Sequence, residues 1–132
     1  MKAFKETSVR IITDDRPGLF FVISSELAKC NVNIKAICAF REGEKAYFYL
    51  LTDNCKKSVE LLDAAGLNAS IKDVVTVLAE NKVGEASKIS EKIKDEGINL
   101  DFLYGTTSSG SGVCMMVMGS KDNDRLIRAI NG

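Results

Sequence analysis

The sequence predicts an α+β chain of two tandem βαββαβ units, each an antiparallel sheet carrying its helices on one face, and three observations lead there. An offset of 66 positions (99 − 33) aligns the two halves without a gap, the mark of an internal duplication. Val9 falls on Val75, Gly18 on Gly84, Ile23 on Ile89, Asn33 on Asn99 and Gly66 on Gly132. Within each copy the apolar period passes from two residues to about 3.6 and back, which distinguishes strands from helices. Finally, 132 residues with 45% hydrophobic content suffice for one ordinary domain or two very small ones. The repeat selects two, divided as residues 1–72 and 73–132.

Each element has its own signature. Val9, Ile11 and Thr13 alternate with Arg10 and Ile12, so residues 6 to 13 read as a strand that ends at the polar turn Asp14-Asp15-Arg16. Pro17-Gly18 opens a helix, because proline holds a helical φ and lacks an N–H that the first turn would leave unpaired. Leu19, Ile23 and Leu27 give that helix one apolar face, and Asn31 marks its stop. Val32 to Phe40 alternate as a second strand, Arg41-Glu42-Gly43-Glu44 turns the chain, and Ala46, Phe48 and Leu50 continue as a third. A short helix carries Val59, Leu61, Leu62 and Ala65, with Gly66 suited to the left-handed position after its end. Residues 69 to 80 then form one long strand or two, closing the first unit and opening the second.

The second copy repeats the order, with a strand at 74 to 80, a helix from 84 to 96 ended by Gly97, strands at 98 to 106 and 112 to 118, and a helix at 122 to 130. Its hairpin Thr106 to Gly112, TTSSGSG, reads either as a lid or as a loose turn, and the loose turn is favoured. Gly132 falls where the first copy continues into a fourth strand, so that edge needs another occupant. Met1 to Ser8, which the offset sets opposite Leu67 to Val74, is the candidate strand to complete the second unit.

Composition removes several function classes. Eighteen basic residues balance eighteen acidic ones, so the charge total carries no footprint for a nucleic-acid partner. Tyr47, Phe48 and Tyr49 lie on one strand, but no basic motif flanks them as an RNA-binding sheet requires. The longest apolar run, Val113 to Met118, is far too short to span a bilayer, and the polar start MKAFKETS does not read as a signal peptide. A cytoplasmic protein without membrane association is therefore expected. Cys30, Cys38, Cys55 and Cys114 form no CxxC pair and the chain has no histidine, so neither a metal, nor a cofactor, nor a histidine-assisted nucleophile is expected. The cysteines read as reduced, mostly buried small apolar side chains. No catalytic residue is assigned.

The segment DDRPGLFFVISSELAKCNVNI, residues 14 to 34, resembles the ligand-loop region of ACT domains: a polar pair, Arg-Pro-Gly, an amphipathic helix and Val-Asn-Ile entering the next strand. The second copy, ENKVGEASKISEKIKDEGINL at residues 80 to 100, keeps the glycine and the strand entry but places Val83 at the proline and Glu85 at the leucine. The resemblance implies a ferredoxin-like fold and a non-catalytic, allosteric role in which an amino acid or related small molecule binds between units and controls a partner enzyme. It resembles the small tandem proteins of that family that stand alone, and a homodimer is expected.

Carried over residue by residue, the resemblance places ligand contacts at Asp14, Asp15, Arg16, Pro17, Gly18, Leu19, Asn33 and Ile34, with Asn81, Gly84 and Asn99 as the second copy's set. Gly18 lets backbone approach a ligand, and N–H groups at a helix start suit a carboxylate. Asn33 has both a donor and an acceptor for an α-amino acid, and Asp15 suits its ammonium. Structural roles stand beside these: Gly18 as a helix opener, Asn33 as a strand cap, Asp14-Asp15 as a solvated turn. Glu85 would oppose an anion at its helix start, so the first copy's loop is expected to bind better. Phe20 and Phe21 are expected to face a partner unit or subunit. The rival reading is a ligand-free interaction module that serves as a subunit of a complex.

Overall fold

The computed structural model describes residues 1–107, 110 and 112–132. Two units divide the chain: a first unit of Thr7–Lys72, and a second of Met1–Glu6 together with Asp73–Gly132. The elements in chain order are β1 (Lys2–Asp14), α1 (Leu19–Lys29), β2 (Ile34–Glu42), β3 (Lys45–Thr52), α2 (Cys55–Ala64), β4 (Ala69–Glu80), α3 (Glu85–Asp95), β5 (Phe102–Thr106), β6 (Val113–Gly119) and α4 (Asn123–Asn131).

In the first unit the strand order is β2-β3-β1-β4. β1 and β3 run antiparallel in the register Val9↔Leu50, Ile11↔Phe48 and Thr13↔Ala46. This register puts Val9, Ile11, Phe48 and Leu50 on one face, and all four are buried with Leu19, Ile23 and Leu27 of α1 and Leu62 of α2. The i, i+4, i+8 face read from the sequence is thus the buried face of α1. Asn54 caps α2, its side-chain oxygen accepting from the Lys57 N–H at 3.1 Å. Ser58, fully buried, is satisfied by the Asn54 carbonyl at 2.7 Å and lies 2.8 Å from the Thr52 hydroxyl.

The second unit has the order β1-β4-β6-β5. Val75, Val77 and Ala79 of β4, Ile89 and Ile93 of α3, Met118 of β6, and Leu126 and Ile130 of α4 form its core. The N-terminal stretch belongs here as the sequence anticipates: Ala3 is 3% exposed within this core. Its N–H donates to the Asn131 side-chain oxygen at 2.8 Å, and its carbonyl accepts from the Asn131 amide at 2.8 Å. Lys5 Nζ stands 2.9 Å from Asp124 Oδ1.

Three helices close in the same way. After α1, α2 and α3 the chain turns left-handed at Asn31 (φ 57), Gly66 (φ 81) and Gly97 (φ 64). The N–H groups of Val32, Leu67 and Ile98 reach back to the carbonyls of Leu27, Leu62 and Ile93, and each of these six is apolar, as this motif favours.

Three details differ from the sequence expectation, and one alternative is decided. β1 begins at Lys2, not residue 6, because the second unit pairs its early residues. Residues 69 to 80 form one strand, the first of the two alternatives the sequence left open. β5 begins at Phe102, not 98, because Ile98 is tied to the end of α3 and the chain enters pairing only where Asp101 N–H meets the Gly119 carbonyl at 2.8 Å. Pro17 precedes the capping Gly18 and so lies outside the first helical turn. The turn expected at Thr106 to Gly112 includes Ser108, Ser109 and Ser111, which lie outside the described residues.

Candidate functional site

In both units the first helix opens on a glycine that only a left-handed backbone accommodates: Gly18 at φ 88 before α1, and Gly84 at φ 95 before α3. Neither helix receives a side-chain cap at this residue, and open space surrounds the position a Cβ would take at both glycines. Backbone N–H groups at a helix start carry partial positive charge, and that of Glu85 donates to the Lys82 carbonyl at 3.3 Å.

Around Gly18, the loop is braced by the β2–β3 turn. Asp14 Oδ1 accepts from Lys45 Nζ at 2.6 Å, Asp15 N–H donates to the Glu44 carbonyl at 2.8 Å, and Asp15 Oδ2 lies 3.7 Å from Arg41. The hydrogen bond from Lys45 holds the Asp14 carboxyl below its ordinary range, and Asp14 in turn raises Lys45. Both are exposed, so this pairing orients the loop more than it stabilises the fold. A recess of about 440 Å³ is lined by Asp14, Asp15, Arg41, Gly43 and Glu44. Arg16 and Pro17 are exposed beside it, whereas Leu19 is 3% exposed and packs in the core.

Asn33 and Ile34 stand elsewhere in the same unit. Asn33 N–H donates to Asp53 Oδ1 at 3.0 Å and its carbonyl accepts from Asp53 N–H at 3.0 Å, which clips the start of β2 to the end of β3. Ile34 packs against the core. β2 runs from this end to the loop end, so roughly 25 Å of strand separates Asn33 from Asp15 at about 3.3 Å per residue. Within the unit these residues are not neighbours.

The second unit has the same division. Asn81 lies at the helix opening, its N–H donating to the Gly112 carbonyl at 3.0 Å, and it lines a cavity of about 350 Å³ with Glu80, Lys82, Glu85, Leu103 and Met116. Asn99 lines a different recess, of about 400 Å³, with Asp101, Lys121, Asp122 and Arg125. Glu85 is paired from two sides: Lys82 Nζ, also of the cavity lining, lies 3.9 Å from its Oε1, and Lys88 Nζ, outside the lining, lies 3.1 Å from the same oxygen. Glu85 is the residue that sequence reasoning undervalued. Its i−3 and i+3 lysines were visible as helix-surface pairing, but its burial, 9% side-chain exposure, was not.

The cysteines are free and half-buried. Among the described residues, no three His, Cys, Asp or Glu side chains gather as a metal site, and no helix is long and apolar enough to cross a membrane.

Two βαββαβ units, each with an uncapped glycine-opened helix, define a tandem ferredoxin-like pair. The chain belongs to the family of ACT domain pairs, whose model matches residues 6–130. Solved structures share the fold at low identity. A protein from Bacteroides thetaiotaomicron is 20% identical with a TM-score of 0.89, the match covering 98% of this chain and 88% of that one. The ligand-free regulatory subunit of aspartate kinase from Thermus thermophilus is 14% identical, with a TM-score of 0.69 and coverage of 99% and 95%. The corresponding subunit from Thermus flavus is 16% identical, with a TM-score of 0.62 and coverage of 99% and 95%. Among curated proteins no sequence match was found.

Proposed function

We propose that this chain is a non-catalytic regulatory protein that binds an amino acid and transmits its occupancy to a partner enzyme. The supporting observation is the pair of helix openings: α1 and α3 each start at a left-handed glycine, Gly18 and Gly84, without a side-chain cap and with open space where a Cβ would stand. A carboxylate suits that position, and Asp15 beside Gly18 supplies a counter-charge for an ammonium. Asn33 serves as the second recognition group, reached by the ligand from a neighbouring unit. Membership of the ACT domain pair family and the likeness in fold to regulatory subunits of aspartate kinase support the regulatory part of the reading. A homodimer supplies the neighbouring units.

The test is thermal stability of the full chain against the twenty amino acids, since a ligand that binds only the folded state raises the midpoint by mass action. One or two compounds should raise it, and Asp15→Ala and Asn33→Ala should abolish the rise. A flat panel at millimolar concentration would sink the proposal in favour of an interaction module, which the exposure of Phe20 (58%) and Phe21 (73%) on α1 favours.

A further inference from the structure

The two copies differ where the second unit holds its cavity. At the repeat offset of 66, Leu19 is matched by Glu85, Phe20 by Ala86 and Ala39 by Gly105. Two of these exchanges remove bulk and the third introduces a charge. Ala86 is exposed at the start of α3, so the wall on the helix side is low. Gly105 on β5 stands opposite Met116 of β6, and a Cβ there would fall 3.0 Å from Met116 Cγ and 2.8 Å from the Met115 carbonyl oxygen. Glycine therefore leaves the Met116 side chain uncovered. The recess at the matching loop of the first unit is lined by Asp14, Asp15, Arg41, Gly43 and Glu44, without an apolar side chain.

The cavity of about 350 Å³ is lined by a charged and an apolar set of side chains, with Asn81, Thr106 and Thr107 beside them. The charged set is Lys82, Glu85 and Glu80, with Glu85 at 9% side-chain exposure and its Oε1 3.1 Å from Lys88 Nζ. A carboxylate offers about four acceptor positions, so Glu85 retains capacity for a further donor. Lys82 Nζ is 2.5 Å from the exposed Glu80 carboxylate, a surface pairing of little strength that a better-placed anion can displace. The apolar set includes Leu103, Met116 and Ala86. Leu103 is 55% exposed although it shares the helix-side face of β5, so apolar surface is available for a ligand to cover. A cavity of this size suits a small molecule.

Resting on the amino-acid-binding reading above, we infer that this cavity within the second unit takes an α-amino acid with an uncharged, apolar side chain. The α-ammonium donates to Glu85, the α-carboxylate meets Lys82, and the side chain lies against Leu103 and the polarisable Met116, whose flexible thioether adapts to its shape. The site selects against acidic side chains, which Glu80 and Glu85 repel. It also selects against strongly hydrated ones, which would lose water against Leu103 and Met116. Binding in the second unit then differs in ligand preference from binding at the polar loop of the first.

The experiment is calorimetric titration of the full chain with leucine, methionine, aspartate and lysine, and with leucinamide and 4-methylpentanoate, which lack the carboxylate and the ammonium respectively. Leucine or methionine should bind, and each truncated analogue should bind about tenfold or more weakly, as loss of a charge-assisted contact implies. Glu85→Gln should weaken binding by a similar factor. Ala86→Phe, which restores the first copy's residue at an exposed position, should block the cavity without unfolding the chain. Cys114 lines the cavity, so bound ligand should slow its alkylation by N-ethylmaleimide, followed by peptide mass spectrometry, relative to Cys30, Cys38 and Cys55. Aspartate or lysine binding with Cys114 labelling unchanged, or leucine affinity unaltered in Ala86→Phe, overturns this assignment while leaving an amino-acid sensor standing. No binding by any amino acid overturns both.

Discussion

Replacing Asn131 by alanine tests whether the N-terminal residues are a structural part of the second unit. The Asn131 side chain makes two bonds to one residue, accepting from Ala3 N–H and donating to Ala3 carbonyl, both at 2.8 Å. A typical hydrogen bond contributes about 0.5–1.5 kcal/mol net, so removing both costs about 1–3 kcal/mol. The upper part of that range applies because Ala3 is 3% exposed and its backbone groups are left without partners in a place water reaches poorly. For a domain of this size about 1 kcal/mol moves the melting temperature by roughly 3–6 °C. Asn131→Asp keeps the acceptor for Ala3 N–H but sets a carboxylate oxygen against the Ala3 carbonyl in place of the donor, so it should destabilise although one bond is retained. Urea titration gives the free energies, and amide exchange at Ala3 locates the change. If Asn131→Ala stays within about 0.5 kcal/mol of the parent and exchange at Ala3 is unaltered, the N-terminal stretch is not a strand of that unit in solution.

Further outcomes follow from the same packing. Gly18→Ala should destabilise by about 1–2 kcal/mol in urea titration, a backbone effect alone, since φ is 88 and the added Cβ meets no atom within 4 Å. Ile23→Ala, at 0% exposure, should cost about 2–5 kcal/mol, while Phe21→Ser, at 73% exposure on the same helix, should stay within about 0.5 kcal/mol. The Lys5–Asp124 pair sets a pH window for the N-terminal strand. Asp124 is lowered by the hydrogen bond from Lys5, so its contribution is present above the ordinary carboxylate value and lost as pH falls through the lowered one. Lys5 is raised by the same bond, so its contribution is present below the ordinary lysine value of 10.5 and lost as pH rises through the raised one. Exchange at the amides of residues 2 to 6 should therefore show constant protection, after correction for intrinsic rates, across the middle range, and Asp124→Asn should abolish the acid-side loss.

Much of the fold was legible because it rests on periodicity and on residues with one conformational use. Leu19, Ile23 and Leu27 mark the buried face of α1 by spacing alone, and Gly66 marks the end of α2 because the left-handed position after a helix favours it. What misled was local pattern without pairing information. Ile98, Leu100 and Phe102 alternate like a strand, but the first two pack against the core from irregular backbone. Pro17 looked like a first-turn residue because proline is tolerated there, yet glycine's φ determined where α1 starts. The candidate site was less legible than the fold. The sequence identified Gly18, Gly84 and Asn81 at helix openings. It could not reveal that Asn33 is clipped to Asp53, or that Glu85 is withdrawn from solvent between two lysines, because those are tertiary facts about residues that look like surface.

The duplication itself separates scaffold from site. Val9 and Val75, Ile11 and Val77, and Ile23 and Ile89 are matched pairs that all lie buried in their own cores, where volume changes are costly. Leu19 and Glu85, Phe20 and Ala86, and Ala39 and Gly105 are pairs of the same register in which no common packing demand holds the two copies alike. The second copy's cavity arises at these unmatched positions, on a unit whose fourth strand is supplied by residues 1 to 6. That arrangement has a thermodynamic consequence. A ligand that binds the folded second unit stabilises every element of it by the same mass-action term, including the strand held by Asn131. Ligand should therefore slow amide exchange at Ala3, on a different element from any cavity residue, whenever exchange proceeds through unfolding of the unit. The loop at Gly18 belongs to the other unit, and a ligand confined to the second unit has no such direct claim on it.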